Sequence, residues 1–388
     1  MGFTLVMPFL PLYFRELGVR DVGAIAVWSG ASLGITPAVT ALCAPVWGAL
    51  ADRFGRKVMV IRSLISFMVV MTAMAFVTAP WQVLALRGLQ GLFAGYGALI
   101  LTMTVESSPP ERVARSIGMV QTTQRMAPAI GPVVGGSLAQ LVGLRNAFLV
   151  STAFYALALV LIVVLYRERP TPEATASTRS RPRLRTRDVL TFENFAVIMI
   201  LIFGVQLVDR SVGPILPLFL EQLGVGAARV PLMAGTLFSV TAMSAALGHH
   251  LCGRLLERAS ARTVTVRGLL LAMGGAAVMG LAWRPVWLFA GTPLLGLGLG
   301  MAITTAYATA SLAIPTGVEG RAFGVLTSAS LAGLALSPVL SGLIGAGSIR
   351  AVFLVDVAAL VGLTLWAGTR LRPLPVIPAR AASCASDP

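Results

Sequence analysis

Ten residues, GALADRFGRK at 48–57, hold Asp52, Arg53, Arg56 and Lys57 in a chain of which only 12% is charged. Asp52 can face the positive N-terminus of another helix. Gly48 and Gly55 suit a tight reversal beside it. Glu106 is a second acid able to answer Arg53 or Arg56. Arg87 stands alone in an apolar run, three residues before Gln90. A guanidinium there is expensive to bury and marks either a proton-linked function or a structural ion pair. Arg125, Asp209, Arg210 and Asp356 are also set in apolar runs. Asp209 is a candidate proton carrier, because burial and a neighbouring arginine act in opposite directions on an acid's ionisation. Beside Arg210 it can equally be a static pair. Gly131, Pro132, Gly135 and Gly136 remove side-chain bulk and one backbone hydrogen bond, so a helix through them can bend and lie close on its neighbour.

These residues need a scaffold, and composition identifies its solvent. With 56% hydrophobic residues and a mean hydropathy of +0.85, the chain is too apolar for soluble domains. Apolar runs of about 20 residues, the length that crosses a bilayer, recur along it. They predict an all-α membrane protein with twelve spans, helices 1 to 12: 1–17, 23–50, 58–78, 81–105, 112–140, 143–166, 192–221, 228–253, 263–283, 285–310, 319–345 and 349–369. With both termini inside, nineteen Lys and Arg residues fall in the cytoplasmic loops and six (Arg15, Arg20, Arg145, Arg229, Arg284 and Arg350) in the outer ones. That asymmetry is the positive-inside rule. The net charge of +15 is therefore topological, and no nucleic-acid partner is expected, since the basic residues are scattered over short loops.

An internal repeat organises the spans. Shifted by about 205 residues, MPFLPLYFRELGV (7–19) meets GPILPLFLEQLGV (213–225), and GALADRFGRKVMVIR (48–62) meets GRLLERASARTVTVR (253–267). RNAF (145–148) meets RAVF (350–353), and Pro132 and Gly136 meet Pro338 and Gly342. Two six-helix bundles follow, residues 1–166 and 191–370, with a cytoplasmic linker at 167–190 rich in Arg, Pro, Ser and Thr and a cytoplasmic tail at 371–388. Helix 7 has about twenty residues before Pro214 and helix 1 has seven before Pro8, which predicts that about a dozen helix-1 residues lie upstream of Met1. The repeat also separates packing from charge. Gly91 and Gly95 keep glycine counterparts at 296 and 300, whereas Arg87 becomes Thr292 and Gln90 becomes Leu295.

The motifs carry a resemblance over nearly the whole chain. Residues 48–57 resemble the loop 2–3 signature of the major facilitator superfamily, RGLQG (87–91) resembles its helix-4 motif, and APAIGPVVGG (127–136) resembles the helix-5 motif of its antiporters. With LVMPFLPLY in helix 1, the set most resembles the 12-helix drug:proton antiporter branch. The resemblance implies the major facilitator fold, small-molecule export driven by protons, and alternating access of two bundles. It implies that Gly48, Asp52, Arg53, Gly55, Arg56 and Lys57, with Glu106, latch the cytoplasmic gate, that Arg87 and Gln90 serve proton coupling, and that Gly131, Pro132, Gly135 and Gly136 seal helix 5 against helix 8. A merely solvated turn at 48–57 and plain packing at 131–136 remain the alternatives. The branch often has an acid within the apolar run of helix 1, and residues 1–14 have none; Glu16 stands at the end of the helix.

Absences narrow the function further. There is no G-x-x-x-x-G-K-[ST] phosphate loop, so the energy source is a gradient. No nucleophile, metal or cofactor constellation stands out, so neither catalysis nor a cofactor is expected. Cys43, Cys252 and Cys384 lack metal spacing, and the adjacent His249 and His250 do not share a helical face. The expected partners are a small molecule, protons and membrane lipid, for a multi-pass monomer in the bacterial cytoplasmic membrane. An exporter of a specific metabolite or sugar on the same fold is the second reading.

Overall fold

A computed structural model of the chain describes residues 2–94, 99–100, 103–104, 107–108, 113–166, 194–314 and 319–371, and the described residues form helices and connections without strands. We number the segments α1 to α12. α1 is Gly2–Val6, a 3-10 turn at Met7–Phe9, and Leu10–Glu16. α2 is Val22–Phe54, α3 Arg56–Phe76, α4 Pro80–Leu92, α5 Val113–Val142 and α6 Leu144–Leu165. α7 comprises Phe195–Ser211 and Leu216–Gln222, and α8 is Val230–Leu256. α9 is Ala261–Gly280, α10 Val286–Ala313, α11 Glu319–Gly347 and α12 Ile349–Arg370.

Among the described residues, eight of these helices are long and apolar enough to cross a membrane, and the two parts of α7 make a ninth span bent by 45°. The chain is thus a multi-pass membrane protein. The repeat is visible in where its helices break. Pro8 and Pro11 fall at the 3-10 turn of α1, and Pro214 and Pro217 fall at the break in α7. Proline supplies no N–H and disfavours α-geometry in the residue before it, so each Pro-x-x-Pro pair interrupts its helix in the same place.

Three differences from the sequence reading have local causes. The reversal between α2 and α3 rests on Gly55 alone, at φ 90°, a left-handed region that suits glycine; Gly48 lies within α2. Asp21 caps α2 one residue early, its carboxylate accepting from the Ala24 N–H at 2.6 Å. The fourth span, expected as one helix over 81–105, has its first helix end at Leu92, followed by a turn at Phe93.

The chain divides into two compact units. One comprises residues 1–181, 210–239 and 334–349, and the other residues 182–209, 240–333 and 350–388. The division passes through α7, α8 and α11, because the first part of α8, the last part of α11 and the residues from 210 onward in α7 pack with α1 to α6. Lipid offers no hydrophobic drive for helices to associate, so close approach through small residues holds such units together. In the second unit a Cβ on Gly275 would lie 2.7 Å from the Gly291 carbonyl oxygen, and one on Gly268 would lie 2.9 Å from that of Gly298, so α9 and α10 touch backbone to backbone.

Candidate functional site

Arg87 is the largest fully buried side chain of the first unit. Helix α4 carries it inward beside α2, where its Nε donates to the Ser32 carbonyl oxygen at 3.2 Å and a terminal nitrogen donates to Gln90 Oε1 one turn along. The Thr36 hydroxyl returns a bond to the Arg87 carbonyl at 2.9 Å. Gly91 keeps the two helices close enough for this, since a Cβ there would stand 2.6 Å from the Thr36 carbonyl oxygen. The repeat supplies a comparison. Gly296 meets the Thr241 carbonyl as Gly91 meets that of Thr36, but Leu237, Thr292 and Leu295 replace Ser32, Arg87 and Gln90, and the Thr292 hydroxyl only bonds back to Leu288 of its own helix. The packing occurs twice and the charge once. A guanidinium in a dry site, held by neutral oxygens, is positioned to respond strongly to any charge that enters nearby.

The α5 motif divides its work between two neighbours. Gly131 and Gly135 face α1: a Cβ on Gly131 would overlap the Thr4 side chain, and one on Gly135 would overlap the Leu5 carbonyl oxygen. The Thr4 hydroxyl donates to the Ala127 carbonyl at 3.0 Å in the same seam. Gly136 and Pro132 face α8. Gly136 lies on the Pro231 carbonyl, Gly235 lies on that of Pro132, and the Val133 N–H donates to the buried Ser239 hydroxyl at 3.3 Å. The same seam is built again between α2 and α11, where Gly30 lies on the Pro338 carbonyl and Gly342 on that of Ala26. Ser341 takes the place of Gly135 and donates its hydroxyl to the Ser211 carbonyl.

In residues 48–57 the structure gives a separate task to one base. Lys57 Nζ donates to the Val163 and Tyr166 carbonyl oxygens, the first at 3.2 Å, and so caps the C-terminus of α6. Arg53 is exposed and lies over the Phe54 ring at 5.3 Å. Arg56 is half-buried in the first turn of α3. Asp52 and Arg125 are placed on α2 and α5 by their backbone, and Glu106 lies outside the described residues. Of the remaining charges, Asp209 is half-buried, Arg210 exposed and Asp356 buried in α12. Near Asp209 in the second unit, Gln206 donates to the Ser330 hydroxyl at 2.9 Å, giving α7 and α11 a polar contact.

One cluster escaped sequence reasoning. Where the α4 helix ends, Trp47 Nε1 donates to the Leu92 carbonyl at 2.6 Å, and Arg62 and Ser63 both donate to that of Phe93, at 3.2 and 2.8 Å. The Arg62 guanidinium lies 3.4 Å from the centre of the Trp47 ring. A helix end within a membrane segment exposes carbonyls that lipid cannot satisfy, and these three side chains satisfy them. The signal was available in the repeat, where Cys252 and Gly268 stand in place of Trp47 and Ser63.

Comparison with known proteins places this geometry. The model of the Major Facilitator Superfamily matches residues 1–331. The Multi-drug resistance efflux pump PmrA homolog of Lactococcus lactis subsp. lactis (strain IL1403) is 29% identical over 365 residues, 94% of this chain and 88% of that one. Multidrug resistance protein MdtG of Escherichia coli O6:K15:H31 (strain 536 / UPEC) is 29% identical over 383 residues, 97% and 93% of the two chains. Among solved structures, a bacterial homolog of the human lysosomal transporter Spinster, in its inward-facing and occupied conformation, superposes with a TM-score of 0.80 over 96% of this chain and 94% of that one, at 16% identity. Repeated helix breaks, glycine seams and these matches lead to one assignment: the chain belongs to the Major Facilitator Superfamily of membrane transporters.

Proposed function

We propose that the protein exports small amphipathic molecules, including drugs, across the bacterial cytoplasmic membrane in exchange for protons, by alternating access of two six-helix halves, residues 1–166 and 191–370. The observation that carries the reading is the buried Arg87, held by the Ser32 carbonyl and Gln90 in one half and replaced by Thr292 in the other. A membrane-buried cation that packing does not require is best explained by coupling to an ion. The relatives named as multidrug efflux proteins support drugs as cargo. Asp209 is the acid proposed to work with Arg87, and residues 48–57 with Glu106 are proposed to latch the cytoplasmic side. The bias of basic residues puts both termini in the cytoplasm.

The test is uptake of fluorescent cationic and neutral drugs by everted membrane vesicles energised by respiration, followed before and after nigericin collapses the pH gradient. Uptake lost both with the gradient and in the Arg87→Ala protein supports the proposal. Folded protein that moves no drug in response to the gradient refutes it and points to a narrow metabolite exporter.

A further inference from the structure

Arg15 and Glu221 form an ion pair between the last turn of α1 and the last turn of α7. Their numbers differ by 206, the offset that superposes MPFLPLYFRELGV on GPILPLFLEQLGV, so each stands at the other's position in the repeat. Parallel repeats of this fold are related by a pseudo-two-fold axis along the membrane normal. A residue can touch its own counterpart only where both stand beside that axis. At such a point a faithful duplication would set like charges against each other; here one copy carries Arg and the other Glu. The side chains are 39% and 18% exposed, so the pair is open to water and ions. At the same end of these helices Gly23 of α2 lies 3.0 Å, at its would-be Cβ, from the Ala346 carbonyl of α11, and the Gly30–Pro338 and Gly136–Pro231 seams are closed.

We propose that Arg15 and Glu221 form an axial latch that holds the outer ends of α1 and α7 together and is broken each time the transporter opens outward. The inference rests on the alternating-access reading above. Movement of either half away from the axis separates the pair, and movement of both separates it twice as far, so no outward-open state retains it. An exposed ion pair shifts a two-state equilibrium by about 1.4- to 5-fold, enough to bias the cycle without locking it. The latch also accounts for a basic residue on the side that the charge bias leaves poor in them, since Glu221 neutralises it. The conformational task falls to charge at this point because the sequence around it is otherwise shared by both repeats.

The experiment measures opening without reference to cargo. In a background with Cys43, Cys252 and Cys384 replaced by Ala, Ser239→Cys places a thiol at a position 3% exposed in the α5–α8 seam. A membrane-impermeant maleimide is then added to intact cells. Arg15→Glu and Glu221→Arg should each raise the labelling rate by about 2- to 10-fold, because repulsion replaces attraction, and the Arg15→Glu/Glu221→Arg swap should return it to the parent rate. Raising NaCl from 0.05 to about 1 M, which shortens the screening length to about 3 Å, should speed labelling of the parent and leave Arg15→Gln/Glu221→Gln unchanged. Equal labelling in all variants, or a swap that fails to restore the parent rate while the Gln pair is labelled normally, overturns the latch. Charge-dependent labelling in a protein that moves no drug supports the latch and refutes only the cargo.

Discussion

Arg87→Lys keeps the charge and removes the geometry, and so asks which of the two the membrane interior is using. In the native protein one planar group reaches two acceptors at once: Nε to the Ser32 carbonyl at 3.2 Å and a terminal nitrogen to Gln90. A lysine ammonium ends near the second position and cannot donate to both, so one charge-assisted hydrogen bond is lost, and such bonds contribute about 1.5–3 kcal/mol. If the arrangement is needed in the rate-limiting step, initial transport rates fall about 10- to 150-fold. The assay is drug uptake in everted vesicles, normalised to the amount of correctly folded protein, with Gln90→Leu as a second variant. Lysine at full rate would refute the geometric role. Arg87→Ala at full rate would refute any role in transport.

The repeat supplies further predictions of matched pairs. Arg145 donates to the Ala75 and Val77 carbonyls and Arg350, its counterpart, to those of Gly280 and Ala282, so each caps the helix three segments before its own half's last, α3 and α9, and Arg145→Ala and Arg350→Ala should each destabilise the detergent-solubilised protein by about 1–2 kcal/mol in thermal unfolding and leave transport per folded molecule unchanged. Gly274 has nothing near its would-be Cβ while Gly275 would meet Leu295 and Gly291 backbone atoms; Gly274→Ala should be neutral or stabilise by up to about 1 kcal/mol, and Gly275→Ala should destabilise by about 1–3 kcal/mol on the same measurement. Gly55→Ala forces a Cβ into φ 90° at the α2–α3 reversal and should lower thermal stability by about 1–2 kcal/mol.

Fold was legible in the sequence because the bilayer imposes one rule on every span, and the repeat then fixed the registry of the parts. Pro8 and Pro11, matched to Pro214 and Pro217, aligned the repeat but were read within continuous spans 1–17 and 192–221, and the structure interrupts both helices there. Gly91 matched to Gly296 announced a close helix contact that is present in both units. The site was less legible, for a physical reason: a side chain's partner in a helical membrane protein is usually a backbone carbonyl, and every residue has one. Ser32 holds Arg87 through its carbonyl, and nothing in the type of residue 32 says so. Trp47 and Arg62 find the end of α4 the same way, and no acid marks the place where Arg62 is needed. The α5 motif named the glycines that must be small, and the resemblance set all of them against helix 8; Gly136 does lie on α8, but Gly131 and Gly135 lie on α1.

A duplicated chain contains its own control for separating scaffold from mechanism. Both copies descend from one packing problem, so a contact made twice is one that folding requires: the arginine caps at 145 and 350, the glycine contacts at 91 and 296, and the proline–glycine seams of α5 with α8 and α2 with α11. A contact made once has been kept or acquired in spite of its cost in one half. Burying a guanidinium in a bilayer destabilises the protein by a few kcal/mol even on the lower scales, and duplicating Arg87 would double that. Thr292 shows that the same helix packs without it. The asymmetry is what a transporter needs if one half holds the coupling ion and both halves must still rock alike. The pair Arg15–Glu221 is the limiting case, since it joins a position to its own copy and can exist only because the two copies diverged in charge. On the proposed reading, symmetric backbone with asymmetric charge would let equal halves move together while the ion they answer to is bound in one of them.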